Sequence, residues 1–273
     1  MSIIERVNTE LEDNFPDNVS VVVRSFSEDK PFKHRAFERY RAASLIKVPL
    51  AIALFDGIEK KKFNIYDVCT LDGEDKVYRL EDQNGEVDKA EIGTEFAIDF
   101  LVGEMLVKSD NSATNMLISY IGMDYVNTML QEFAYVDTVL GRKMCDKHAR
   151  AIGDENYTNA SEMTQMFKDL HEGKILGKDK HAQHLLGMMA QSKFHSKITR
   201  DLPMEEEGFD VPRKGGVLAP YKDQPSVVHD VGLVRLPENP YVIGVFVEGV
   251  DSKTGSDYIA QVSKKVYTTI VSK

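Results

Sequence analysis

The chain has 273 residues, 42% of them hydrophobic and 29% charged, with a formal net charge of -10 and a sequence pI near 5.3. That length can bury a large core, as one domain or two closely packed ones, while the acidic balance and the lack of any long lysine or arginine run argue against nucleic acid as a partner. Two cysteines, Cys69 and Cys145, do not make a disulfide framework, and no apolar stretch reaches the length of a membrane span.

Residues 2–13 place Ile3, Ile4, Val7 and Leu11 on one helical face and Glu5, Glu10, Glu12 and Asp13 on the other, which predicts an opening amphipathic helix. Residues 1–25 lack a basic start, a long apolar stretch and a small-residue cleavage site. As it stands, the chain reads as soluble and cytoplasmic, or as secreted if a leader was removed. After Pro16-Asp17-Asn18, the run Val19–Val23 has strand composition, and Ser27–Pro31 reads as a turn into a second short strand. Residues 45–58 predict an apolar helix beginning near Ser44. Proline is comfortable only in a first helical turn, so Pro49 requires the helix to start at about Leu45 to Lys47 or to kink near the serine.

Residues 59–95 are polar and weakly patterned, with turns at Leu71-Asp72-Gly73 and Gln83-Asn84-Gly85, and read as a surface excursion. Thr94 is expected to cap a helix whose Ile98, Leu101, Val102, Met105 and Leu106 keep a 3.6 period. It stops at Lys108–Asn111, and helices at about 113–121 and 124–133 follow, divided by Gly122. The pattern fails from Phe133 to Glu155, a loop long enough to suggest a functional role. Asn159-Ala160-Ser161-Glu162 is a capping box for a helix ending near Gly173, and another helix covers about 180–190. Strand-like runs at 211–217, 226–236 and 241–249 precede a last helix with Ile259, Val262, Val266 and Ile270 on one face. The fold class is therefore α+β: an antiparallel sheet built from N- and C-terminal strands and flanked by helices, with a mainly helical insert. Residues 1–58 and 200–273 are expected to form one subdomain and 59–199 the other, packed as one unit.

Ser44 and Lys47 stand three residues apart, almost one helical turn, so their side chains can share a face. A lysine among apolar neighbours and beside a second cation can lose its proton, and a neutral amine beside a hydroxyl is a general base beside a nucleophile. Further along stand Ser109-Asp110-Asn111 and Arg213-Lys214-Gly215-Gly216. Singly, each has an ordinary explanation: a helix-cap serine, a polar loop and a surface turn.

In order and approximate spacing, the three resemble the S-x-x-K, S-D-N and K-T-G elements of class A β-lactamases and penicillin-binding proteins, and the element order resembles that fold over nearly the whole chain. The resemblance implies that Ser44 is the acylated nucleophile, Lys47 its proton acceptor and Ser109 a proton shuttle to the leaving nitrogen. Asn111 would bind the substrate's side-chain amide, and Lys214 would supply charge for a substrate carboxylate and help keep Lys47 neutral. The K-T-G-like segment, including Gly216, would line the substrate, and the backbone N–H groups of Ser44 and Val217 would form the oxyanion hole. The implied reaction is β-lactam hydrolysis through an acyl-serine, with no metal or organic cofactor. The alternatives are a penicillin-binding or D-alanyl peptidase, an esterase of the same fold, or a catalytically quiet protein that binds a peptide or cell-wall fragment.

Two departures qualify this. Gly215 stands where the family carries Thr or Ser, and the missing hydroxyl is expected to weaken carboxylate recognition by about 1–3 kcal/mol. A literal Lys253-Thr254-Gly255 lies after the last strand and is not expected at the site. The family's water-activating glutamate falls at about Arg142-Lys143-Met144-Cys145-Asp146, where Asp146 is the only acid. Glu155 and Asp146 are the candidate deacylation bases, against the plainer reading of solvated loop carboxylates; without such a base the enzyme is expected to acylate and then stall. His181 and His184, with His171 and His195, lack a recognisable metal-ligand spacing and read as helix-surface residues. His229-Asp230 reads as a structural pair beside the site strand.

Overall fold

A computed structural model describes residues 1–11, 15–78, 81, 83–177 and 180–272. Helix α1 (Ile3–Leu11) precedes strands β1 (Val19–Ser25), β2 (Phe32–His34) and β3 (Tyr40–Arg41). A 3-10 turn at Ala43–Ile46 leads into α2 (Lys47–Glu59), followed by β4 (Val68–Thr70), α3 (Glu86–Lys89), β5 (Glu95–Ala97) and α4 (Ile98–Gly103), which continues as a π-helical segment over Glu104–Lys108. Next come α5 (Asn111–Ile121), α6 (Met123–Glu132), α7 (Lys147–Ile152), β6 (Tyr157–Thr158), α8 (Ala160–Glu172), α9 (His181–Ala190) and α10 (Met204–Glu207). Strands β7 (Arg213–Leu218), β8 (Val227–Val234) and β9 (Tyr241–Glu248) and helix α11 (Ser252–Val271) complete the described order.

The main sheet runs β2-β1-β9-β8-β7, with every pair antiparallel, so strands from both ends of the chain meet at β1 and β9. Period-2 alternation divides its side chains between two cores. Val22, Val231, Leu233, Val242 and Phe246 face α2, α4, α5, α6, α8 and α9, whereas Val21, Val23, Ile243, Val245 and Val247 pack under α1 and α11. This is the α+β architecture expected from the sequence. Helix α2 is buried from Lys47 through Gly57, which explains the apolar run Val48–Phe55. Pro49 falls in its first turn, where an amide hydrogen is not needed, so no kink is required.

Several local expectations change. Thr94 is not a helix cap; its hydroxyl donates to the Glu91 carbonyl, and strand β5 intervenes before α4, whose entry at Ala97 has no side-chain cap. The stretch 59–95 is more than a surface excursion, because Leu71, Val77, Val87, Asp75 and Asp88 are buried in it. It lacks periodicity because those residues enter the interior from a turn, from short extended pieces and from the one-turn helix α3. Asn159 caps α8 by accepting from the Glu162 N–H, but the Glu162 carboxylate accepts from the N–H groups of Asp137 and Thr138, tying down the preceding loop. Glu12 and Asp13, assigned to the polar face of the first helix, lie outside the described residues.

Candidate active site

The 3-10 turn carrying Ser44 is held from both sides. Strand β3 pairs with β6, and the Ala42 N–H donates to the Asn156 carbonyl, which ties the turn to the loop before α8. On the other side lies β7, the edge strand of the main sheet. A Cβ at Gly216 would stand 2.8 Å from the Ala43 Cβ and 3.0 Å from the Ser44 nitrogen. Glycine there is what lets the strand approach the serine so closely. Ala43 itself adopts φ 49°, a left-handed conformation that costs a non-glycine residue about 1–3 kcal/mol.

Lys47 opens α2 and is fully buried. Its Nζ donates to the Ser109 carbonyl at 2.7 Å, to Asn111 Oδ1 at 2.8 Å and to Ser109 Oγ at 3.2 Å. The Ser109 hydroxyl in turn donates to Ser44 Oγ at 3.1 Å and accepts from Lys214 Nζ at 2.8 Å. Ser44, Lys47, Ser109, Asn111 and Lys214 therefore converge as the sequence suggested, but with the Ser109 hydroxyl between Ser44 and both ammonium groups. Burial lowers the Lys47 pKa to about 8, against the opposing pull of Asp88 and Asp110. Lys214 is held well below the usual lysine range, first by burial and then by repulsion from Lys47, Arg213 and Lys197.

Ser109 reaches this position because the chain turns through φ 60° between the π-helical segment and α5. Asp110 caps α5, accepting from the Ala113 N–H at 2.8 Å, while its other oxygen accepts from the Asp88 N–H at 2.9 Å. Burial and the neighbouring Asp88 raise the Asp110 pKa to about 6. The Asp88 carboxylate gathers the N–H groups of Asn84, Asn111 and Ser112, and so anchors the backbone that presents Ser109 and Asn111. Sequence reading missed Asp88, which is an ordinary acid in a polar stretch until the fold brings those amides to it.

The ladder also determines which amides of β7 face outward. The Leu233 N–H bonds to the Pro212 carbonyl, and with Arg213 opposite Gly232 this makes 212, 214, 216 and 218 the hydrogen-bonded positions toward β8. The backbone N–H groups of 213, 215 and 217 consequently turn away from the sheet at its free edge. Val217 thus presents its amide at this free edge, next to the Gly216 that packs on the Ser44 turn, and its side chain is 43% exposed. Ser44, Asn111, Lys214, Gly216 and Val217 all line one cavity of about 590 Å³.

The acids considered for deacylation are both engaged. Glu155 is only 4% exposed and is no solvated loop residue; Arg142 Nη2 sits 2.6 Å from one of its oxygens and Arg150 Nε 3.6 Å from the other. Asp146 caps α7 through the Ala149 N–H. Met144, in the stretch where the family carries its glutamate, lines the cavity. Its N–H donates to Asn115 Oδ1 at 2.7 Å and its carbonyl accepts from Asn115 Nδ2 at 3.2 Å.

The other marked residues are placed as follows. Lys253–Gly255 opens α11 under the Asp251 cap, with Gly255 packed on Val228. His181 bonds Glu59, His184 bonds Asp99, and His195 bonds the Thr199 hydroxyl. Burial lowers His229 to a pKa of about 3, and its Nε2 meets the Arg41 carbonyl. Asp230 pairs with Arg213 at 3.2 Å and accepts from the Ile198 N–H, buttressing β7.

A family model described as "Beta-lactamase enzyme family" matches residues 2–270. The chain belongs to the beta-lactamase enzyme family. Among solved structures, this family member is similar to a beta-lactamase from Sphaerobacter thermophilus, at 26% identity and a TM-score of 0.82, covering 98% of this chain and 95% of that one. It is similar in fold to PBP-A, at 20% identity and a TM-score of 0.81, covering 97% and 94% of the two chains. A PBP-A variant solved as an acyl-enzyme complex with penicillin G gives 20% identity, a TM-score of 0.80 and coverages of 97% and 95%. No curated protein matches this beta-lactamase family chain in sequence.

Proposed function

We propose that this protein is a serine hydrolase that is acylated by β-lactams at Ser44 and releases the acyl group slowly. The observation that carries the reading is the chain of contacts from Ser44 through the Ser109 hydroxyl to the buried ammonium groups of Lys47 and Lys214. With Lys47 neutral, the bonds reverse: the Ser44 O–H donates to Ser109 Oγ and the Ser109 O–H donates to Lys47 Nζ. Ser44 Oγ then attacks the lactam carbonyl as its proton passes along this relay. The developing oxyanion is received by the backbone N–H groups of Ser44 and Val217. As the tetrahedral intermediate collapses, the C–N bond breaks and Ser109 returns a proton to the leaving nitrogen. Asn111 lies beside the relay, where it can orient the acyl side chain, and Lys214 supplies positive charge.

Slow release is supported by the state of the acids. Glu155 is neutralised by two guanidinium groups, Asp146 is committed to a helix cap, and Met144 has no proton-accepting group. The test is intact mass followed over time after mixing with benzylpenicillin. One adduct of penicillin mass that outlasts the free drug's steady-state turnover supports the reading. No adduct at millimolar drug removes the β-lactam assignment, while ester hydrolysis without an adduct selects the esterase alternative.

The relay requires neutral Lys47, so acylation is expected to rise with pH to a plateau above about 8. At pH 6 the neutral fraction of a group with that pKa is about a hundredfold below its plateau value, and the acylation rate constant should fall by that order. A rate flat from pH 6 to 9 would exclude Lys47 as the base.

A further inference from the structure

Lys197, in the segment between α9 and α10, is a cavity-lining cation that neither the motif pattern nor the relay uses. It is 8% exposed and borders the same cavity as Ser44 and Lys214. Its neighbourhood is firmly built: the next residue, Ile198, is fully buried, its N–H donates to Asp230, and its carbonyl accepts from the Ser263 hydroxyl. Among the described residues no hydrogen bond or ion pair engages the Lys197 ammonium, which feels the Asp230 carboxylate only at longer range. Asp230 is already paired with Arg213. Arg213, Lys197 and Lys214 thus crowd together beside the Asp230 carboxylate, an arrangement that disfavours charge on the lysines unless an anion joins them.

The space at Gly215 gives this cluster its meaning. A Cβ built there would lie 3.2 Å from Lys197 Nζ, 3.0 Å from Asp230 Oδ1 and 3.3 Å from the His229 carbonyl. The ammonium occupies the room into which a side chain at 215 would project, so the glycine and the buried lysine go together. Where the sequence lacks a hydroxyl at 215, the amine of a lysine from another segment stands instead.

We propose that Lys197 is a substrate-binding residue that, with Lys214, holds an anionic group on the leaving portion of the acyl donor, in the place a side chain at 215 would fill. The inference rests on the reading of Ser44 as the acylated residue, and what it adds is the residue: Lys197, from outside the three motifs, selects acyl donors with a carboxylate or similar oxyanion beyond the scissile bond over uncharged ones. On this reading Lys197 offsets the loss of recognition through Gly215 that is expected from sequence. Free oxyanions such as sulfate should compete for the same end of the cavity.

The test compares wild type, Lys197→Met and Lys197→Arg. Second-order acylation rates are measured with benzylpenicillin, which carries a carboxylate, and with neutral p-nitrophenyl acetate. The ratio of the two rates is expected to drop by about 10- to 100-fold in Lys197→Met, the size of a lost charge-assisted bond, and to recover largely in Lys197→Arg. An unchanged ratio overturns the proposal, including the case where both rates fall together because the site has lost its shape. Sulfate binding, measured by calorimetry on wild type and Lys197→Met, does not depend on acylation. If penicillin forms no adduct with wild type, sulfate binding that is lost in Lys197→Met still upholds the anion subsite, and no sulfate binding to wild type overturns it.

Discussion

Ser44→Ala is expected to carry no penicillin adduct at any time, where wild type is converted fully. The substitution removes the Oγ atom proposed to attack and leaves the neighbouring groups in place. The Ser44 amide, the close approach of Gly216 and the Lys47 hydrogen bonds all involve other atoms. Among the described residues the one side-chain bond given up is that from the Ser109 hydroxyl, which still has both lysines as neighbours, so stability should change by no more than about 1 kcal/mol. Intact mass gives the answer directly, and a thermal melt checks the fold. An adduct on Ser44→Ala would place the nucleophile elsewhere, with the exposed Cys145 on the cavity wall the first residue to map.

Met144→Glu is expected to convert a stalled acyl-enzyme into one that turns over. Both backbone groups of Met144 are held by the Asn115 side chain, and the residue lines the cavity that contains Ser44. A glutamate there keeps much of the methionine's length and brings a carboxylate that no guanidinium has already neutralised, unlike Glu155. A positioned general base contributes about 10²- to 10⁴-fold, so the lifetime of the adduct should shorten by at least a hundredfold while the acylation rate changes little. Met144→Gln, of the same shape but unable to take a proton, should leave the lifetime unchanged. The carboxylate enters a site where methionine is 9% exposed, at a stability cost of about 1–3 kcal/mol. An unaltered lifetime in a folded Met144→Glu variant would show that water is excluded for a different reason than the missing base.

Much of the architecture was legible in the chain because burial imprints a period. The strand-length buried runs of β8 and β9, the apolar run Val48–Phe55 of α2 and the faces of α4 and α11 follow from which residues must leave water. The local turn at Asn159 was legible for a similar reason, since its cap bond spans only three residues. Its glutamate partner was misassigned because Glu162 bonds amides of the distant Asp137 and Thr138 instead. The stretch 59–95 was read as surface for the same cause: Asp88 has no periodic neighbours, and its partners Asn111 and Ser112 are more than twenty residues away.

The sequence by itself determined the chemical alphabet of the site: a serine and a lysine one turn apart, a second serine before a cap, and a lysine beside two glycines. These were readable because each motif is local and the order of three motifs is rarely accidental. Only the tertiary structure decided how they act together. It put the Ser109 hydroxyl between Ser44 and two buried ammonium groups, turned the amide of Val217 outward on a free sheet edge, withdrew Glu155 into two ion pairs, and brought Lys197 over Gly215. Each of these depends on groups from separate segments sharing one low-dielectric space, where burial and neighbouring charge, not residue type, determine which groups hold protons and which remain for a ligand.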